Sequence, residues 1–224
     1  MASNIICIFP KDETTDFLFP VYESLSKSDS FWGIRSNNNE ELFQSVREKM
    51  ESIKDQNNLI IFIGHGASNC LYGTPVNDEK IKLFEQSNIS LFANQSVFFL
   101  SCRSSEFINS IPKGNKVNGI GFGDIITEYR EVVAERDTGD SSFGADINIE
   151  VIENFNNLLV NIIKDTFEYS ASQNMDLDNL FLNLKLIINK NISDKLVNKN
   201  IKYYRTVADL LVNMKWDIDL TKTS

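Results

Sequence analysis

The first half of the chain alternates short, wholly apolar segments with segments whose apolar residues recur every three or four positions. Short apolar runs are typical of buried strands, and the helical recurrence is typical of amphipathic helices. The predicted strands are residues 5–9, 31–34, 58–64, 96–101 and 117–122. Helices are predicted at residues 17–25, with Thr14 or Thr15 as the cap, and at residues 42–53, 78–86 and 104–111.

This alternation of strands and helices predicts an α/β fold, with a mainly parallel, doubly wound sheet and helices on both faces. The last third of the chain changes character. Long amphipathic patterns there predict helices at residues 147–163, 177–188 and 197–214. We therefore expect an α/β core at residues 1–145, followed by a helical C-terminal region at 146–224 that packs on the core or on a partner.

Composition narrows the possible classes of protein. The 224 residues carry a net charge of −9, which argues against binding to a nucleic-acid backbone. The longest apolar runs are too short to span a bilayer, and no basic region precedes an apolar stretch at the start, so we expect no membrane partner and no secretory signal. Three cysteines cannot all pair within one chain, and we expect free thiols in the reducing cytoplasm.

The residues most suited to chemistry follow the two strongest predicted strands. His65, the only histidine, stands after the strand at 58–64, and Cys102 stands after the strand at 96–101. Ligands of doubly wound sheets bind at the carboxyl ends of the strands, and successive parallel strands are often neighbours. A loop and a helix fit between the two strands, so we expect the fold to bring this histidine and this cysteine together.

A histidine beside a cysteine can perform nucleophilic catalysis. The imidazole takes the thiol proton and returns it to the leaving group, and the N-terminus of the helix predicted after Cys102 favours a negative sulfur. Backbone N–H groups of Gly66 and Cys102 are the candidates for the oxyanion hole. Cys7 is expected in the core and Cys70 as a bystander. No residue spacing is typical of a metal site, a phosphate loop or a dinucleotide site, so we expect no metal and no cofactor.

An apolar block ending in His-Gly, followed by one ending in a small residue and Cys, resembles the caspase-like cysteine peptidases. These include caspases, metacaspases, legumains, gingipains, separases and bacterial CHAT domains. Cys102-Arg103 also resembles a caspase motif, and residues 119–124 look most like a CHAT domain. The likeness covers residues 4–170. It implies a His65–Cys102 endopeptidase that cuts a protein partner, is controlled by a partner or effector, and serves bacterial defence or stress.

In the family that the chain resembles, the segment after the next strand helps to form the specificity pocket. Asp124 or Glu128 in this segment could bind a basic residue of the substrate, whereas Arg130 could favour an acidic one. We favour the basic residue. The polar residues 136–144 are predicted to form an exposed loop where cleavage or an effector could control activity.

Two other functions are compatible with the sequence. A caspase-like fold can serve as a catalytically silent binding module, although the presence of both His65 and Cys102 argues against it. A receiver-like domain would need an acidic cluster after the first strand, which Asp12 and Glu13 could supply. It would also need an acceptor aspartate after a middle strand, where this chain has Gly64 and His65.

Overall fold

The computed structural model describes residues 4–54, 56, 58–138, 144–172, 176–198 and 203–222. In chain order, the strands are β1 (Asn4–Ile8), β2 (Phe31–Ile34), β3 (Asn58–Ile63), β4 (Gly66–Ala67), β5 (Cys70–Tyr72), β6 (Lys82–Glu85), β7 (Ser96–Leu100), β8 (Asn118–Gly121) and β9 (Asp219–Thr221). The α-helices are α1 (Phe19–Leu25), α2 (Asn39–Ile53), α3 (Ser104–Ser110), α4 (Tyr129–Thr138), α5 (Ile149–Ala171), α6 (Leu177–Val197) and α7 (Tyr204–Asp217).

A six-stranded sheet in the order β2-β1-β3-β7-β8-β9 forms the centre of the protein. Its strands are parallel except for β9, which pairs antiparallel with β8. Successive residues of a strand point to opposite faces, and here both sets are buried: Ile61 and Phe98 belong to one apolar cluster, Ile60 and Phe99 to the other. The predicted α/β class, with a mainly parallel sheet covered on both faces, is confirmed.

The C-terminal helices share an apolar cluster with one face of this sheet. Phe155 of α5, Leu184 of α6 and Leu211 of α7 are buried in the same cluster as the strand residues Ile61 and Phe98. The chain then returns to the sheet as β9. This three-residue strand was not predicted, because a segment so short and polar carries no strand pattern.

The predicted helix at residues 78–86 is wrong. Asn77 and Asp78 have positive φ angles of 52° and 65°, and an α-helix of L-residues cannot continue through such a turn. Lys82–Glu85 instead forms β6 in a small antiparallel sheet with β4 and β5. Leu83 and Phe84 are both buried, so two adjacent apolar residues were mistaken for part of a helical face.

Two further predictions need correction. The turn before α1 is a 3-10 helix, Asp16–Leu18, and no threonine side chain caps it. The predicted loop at 136–144 begins inside α4, which runs to Thr138, and residues 139–143 lie outside the described part of the chain. In the part that the structure describes, no helix is long and apolar enough to cross a membrane.

Candidate functional site

His65 and Cys102 meet at the carboxyl edge of the central sheet. β3 and β7 are parallel neighbours, with Ile63 paired to Leu100, so both chains leave the sheet at the same level. His65 and Cys102 follow two residues after this pair, and both line one narrow cavity together with Leu18, Ile125 and Leu159. The structure therefore brings together the two residues that the sequence singled out.

Glycines allow the two segments to lie this close. Gly64 has a φ of 157° and donates its N–H to the Leu100 carbonyl, 3.2 Å away. A Cβ on Gly66 would lie 2.6 Å from Ser101 Oγ and 2.8 Å from the Cys102 carbonyl oxygen. Any larger residue at position 66 would push the His65 segment away from Cys102.

A threonine and an aspartate after β1 hold the imidazole of His65. Thr14 Oγ1 lies 2.6 Å from His65 Nε2, and the same hydroxyl donates to Asp12 Oδ1 at 2.8 Å. Asp12 also accepts the Thr14 backbone N–H at 2.9 Å, which fixes the carboxylate beneath the hydroxyl. Asp12 Oδ2 lies 3.5 Å from His65 Nε2.

This arrangement selects one tautomer of His65. A carboxylate can only accept, so the single proton of the Thr14 hydroxyl goes to Asp12. The hydroxyl must then accept from the ring, which places the proton of the neutral imidazole on Nε2. The lone pair is left on Nδ1. The sequence analysis missed both roles, because it assigned Thr14 to a helix cap and Asp12 to an acidic cluster.

His65 is neutral at physiological pH. Its side chain is 11% exposed, and burial is the main cause that lowers the pKa below the ordinary value of 6.5. Lys80 lowers the pKa further, while Asp12 and Glu128 oppose the shift. A neutral imidazole with a lone pair on Nδ1 is ready to accept a proton.

The lowered pKa predicts an acid limb in the pH profile of any activity that uses His65 as a base. The protonated ring cannot accept a proton, so kcat/KM should fall as the pH drops through the pKa, with a midpoint below 6.5. Steady-state rates between pH 4.5 and 8.5 measure this midpoint. A midpoint at pH 7 or above would show that the titrating base is not a buried, neutral His65.

Cys102 is a protonated thiol in this structure. Its Sγ donates to the Ile125 carbonyl at 3.3 Å, and burial raises its pKa to about 11. The nearby carboxylates of Asp124 and Glu131 raise the pKa too. The N-terminus of the helix after Cys102 was predicted to favour a negative sulfur. The pKa is raised nevertheless, because burial outweighs that effect and because Arg103, whose backbone is in the left-handed region, separates Cys102 from α3.

His65 and Cys102 are thus both neutral and each is bonded elsewhere. Within the described residues, the hydrogen bonds of their side chains go to Thr14 and Ile125. Proton transfer from the thiol to His65 requires the thiol to leave the Ile125 carbonyl.

The backbone N–H groups of Gly66 and Cys102 are the predicted oxyanion donors. Tyr72 donates to the His65 carbonyl, so Gly66 occupies the next, non-hydrogen-bonded position of the β4–β5 ladder and points its N–H away from β5. None of the backbone hydrogen bonds of the described residues uses the Cys102 N–H. Cys102 lines the narrow cavity with His65, and a Cβ on Gly66 would lie 2.8 Å from the Cys102 carbonyl oxygen, so the two predicted donors belong to adjoining segments.

The acidic residues near the site divide into two groups. Glu128 lies on the histidine side, with Oε1 4.0 Å from His65 Nε2, and forms an ion pair with Arg130. Asp124 lies on the cysteine side, where it lines a cavity of about 580 Å³ together with Cys102. Glu131, Glu135 and Asp217 line this cavity too. The sequence analysis did not single out these three, because only the packing of α4 and α7 brings them to Cys102.

Comparison with known proteins does not identify a family for this chain. No protein-family model matches the chain, and no curated protein matches it significantly. The caspase-like resemblance therefore rests on the two motifs, and what it implies remains a prediction.

Proposed function

We propose that the protein is a cysteine endopeptidase in which Cys102 is the nucleophile and His65 is the general base. The observation that carries this proposal is the shared cavity at the ends of β3 and β7, which holds the only histidine beside Cys102. The neutral imidazole, the lone pair on Nδ1 and the two N–H groups at Gly66 and Cys102 support it.

The reaction follows from these groups. His65 Nδ1 takes the thiol proton as Cys102 Sγ forms a bond to the substrate carbonyl carbon, and the resulting oxyanion is held by the N–H groups of Gly66 and Cys102. The imidazolium then gives its proton to the amide nitrogen as the C–N bond breaks, leaving an acyl-enzyme. Water then attacks this thioester while His65 takes a proton from it, the C–S bond breaks to release the carboxylic acid, and the imidazolium returns the proton to the sulfur to restore the thiol.

Activation by substrate or by a partner protein is part of the proposal. The Cys102 thiol is engaged by the Ile125 carbonyl in the segment between β8 and α4, so a shift of that segment would free the sulfur. A partner or effector that moves residues 123–127 would switch the enzyme on. Roles in bacterial defence or stress remain the biological context that the resemblance suggests.

Cleavage of a peptide library tests the proposed activity. We expect the wild type and Cys70→Ala to cleave the same peptides, and Cys102→Ala to cleave none, because only Cys102 borders the His65 cavity. Cys70 is a suitable control since it is a buried free cysteine in β5. Cleavage that survives in Cys102→Ala would refute the proposal.

A catalytically silent binding module is the alternative, and the raised pKa of Cys102, about 11, is the observation that favours it. A silent module would cleave no peptide, with or without a candidate activator, and Cys102→Ala would leave its partner binding unchanged. An enzyme awaiting activation would gain a Cys102-dependent rate when its partner is added.

A further inference from the structure

A second cavity borders the candidate nucleophile, and His65 is not among its described lining residues. Its volume is about 580 Å³, which is ample for one extended side chain. It lies between residues 124–126, helix α4 and helix α7. The lining residues are Cys102, Asp124, Ile125, Ile126, Glu131, Ala134, Glu135, Asn213 and Asp217.

The charge in this cavity has one sign. Its described lining residues include four carboxylates and neither lysine nor arginine. None of these carboxylates forms an ion pair with another described residue. Several carboxylates around a concave wall produce a negative potential that attracts a cation.

Two of the four carboxylates, Glu131 and Asp217, are positioned by contacts with other parts of the fold. Glu131 is the half-buried one of the four, and its carboxylate accepts the backbone N–H groups of Thr127 and Glu128, at 3.0 and 3.2 Å. Asp217 ends α7 and packs against Gly123, where a Cβ would lie 2.5 Å from Asp217 Cβ. Asp124, Glu135 and Asp217 are exposed.

The walls between the carboxylates are apolar. Ile125, Ile126 and Ala134 supply them. A lysine or arginine side chain has the matching structure, with an aliphatic stem that packs on apolar surface and a charged end that seeks carboxylates.

We infer that this cavity binds the lysine or arginine side chain that precedes the bond cut by Cys102. The inference rests on the proposed function and names its substrate class. Cys102 lines the cavity, so a side chain inserted here would place its own carbonyl carbon near Sγ. Burial raises the pKa of Glu131, and a bound cation would favour its ionised form.

Peptides that differ only in the residue before the cut test this inference. We expect arginine and lysine peptides to be cleaved with a kcat/KM at least about 100-fold above those of leucine or aspartate peptides. Citrulline has the shape of arginine without its charge, and it should behave like leucine.

Substitutions of two carboxylates that line the cavity provide a second test. Asp124→Asn and Glu135→Gln should each lower the ratio of the arginine rate to the leucine rate by about tenfold. Glu51→Gln removes the same charge from a surface ion pair on α2 and should change neither rate.

The outcomes separate the two proposals. Cys102-dependent cleavage that prefers leucine, aspartate or citrulline would overturn the basic pocket and leave the endopeptidase intact. An equal loss for every peptide in Asp124→Asn and Glu135→Gln would also overturn the pocket. If no peptide is cleaved by the wild type under any condition, the proposed function and the pocket fail together.

Discussion

Replacing His65 by alanine should lower kcat/KM for peptide cleavage by about 1000-fold while the reaction of Cys102 with iodoacetamide hardly changes. The two effects differ because the residues are uncoupled in the resting state. The thiol is bonded to the Ile125 carbonyl and its pKa of about 11 is set mainly by burial. Cleavage, in contrast, needs the imidazole to take the thiol proton. Measuring the rates of peptide cleavage and of alkylation by iodoacetamide, each in the wild type and in His65→Ala, checks both expectations.

The rate at which iodoacetamide alkylates Cys102 should also depend on pH. Since the thiolate is the reactive form, the Cys102 rate should be slow at neutral pH and rise steadily toward pH 11. Fast alkylation at neutral pH that disappears in His65→Ala would contradict the uncoupled state, because it would indicate a preformed ion pair.

Substituting Thr14 by valine should lower kcat by about 10- to 100-fold through the tautomer of His65. Valine has the shape of threonine but cannot accept the Nε2 proton, and Asp12 Oδ2 at 3.5 Å is too distant to replace the hydroxyl without moving. The chain has one histidine, so ¹⁵N-histidine NMR observes this ring alone. The wild type should show the Nε2–H tautomer, and Thr14→Val a mixture of both.

Two further variants control this prediction. Thr14→Ser keeps the hydroxyl and should retain the Nε2–H tautomer and most of the activity. Thr166→Val removes a buried hydroxyl that donates to a carbonyl of its own helix, and it should change neither the tautomer of His65 nor the activity. A wild-type ring protonated on Nδ1 would refute the assignment, as would an unchanged tautomer in Thr14→Val.

The middle strands β1, β3 and β7 of the central sheet were predictable because they are almost wholly apolar. In a parallel sheet covered on both faces, both sets of alternating side chains are buried, and β3 and β7 carry this pattern without interruption. The common register of parallel neighbours then brings His65 and Cys102 to one edge, whatever the structure between them. The wrong helix at residues 78–86 therefore did not affect this part of the prediction.

The remaining site residues depend on contacts that no local pattern encodes. Thr14 follows a strand and precedes a helix, where a threonine usually serves as a cap, and only the position of β1 beside β3 brings it to His65. Glu131 and Asp217 approach Cys102 because α4 and α7 pack on the same side of the sheet edge. The raised pKa of Cys102 likewise reflects burial by the tertiary structure.

Covalent trapping tests the central claim most directly. A peptide that ends in arginine and carries an acyloxymethyl ketone can form one thioether with the catalytic cysteine, and mass spectrometry of the digested protein locates it. We expect the adduct on Cys102, and its formation should be strongly slowed in His65→Ala. An adduct on Cys7 or Cys70, or cleavage that continues when Cys102 is blocked, would contradict the assignment of Cys102 as the nucleophile.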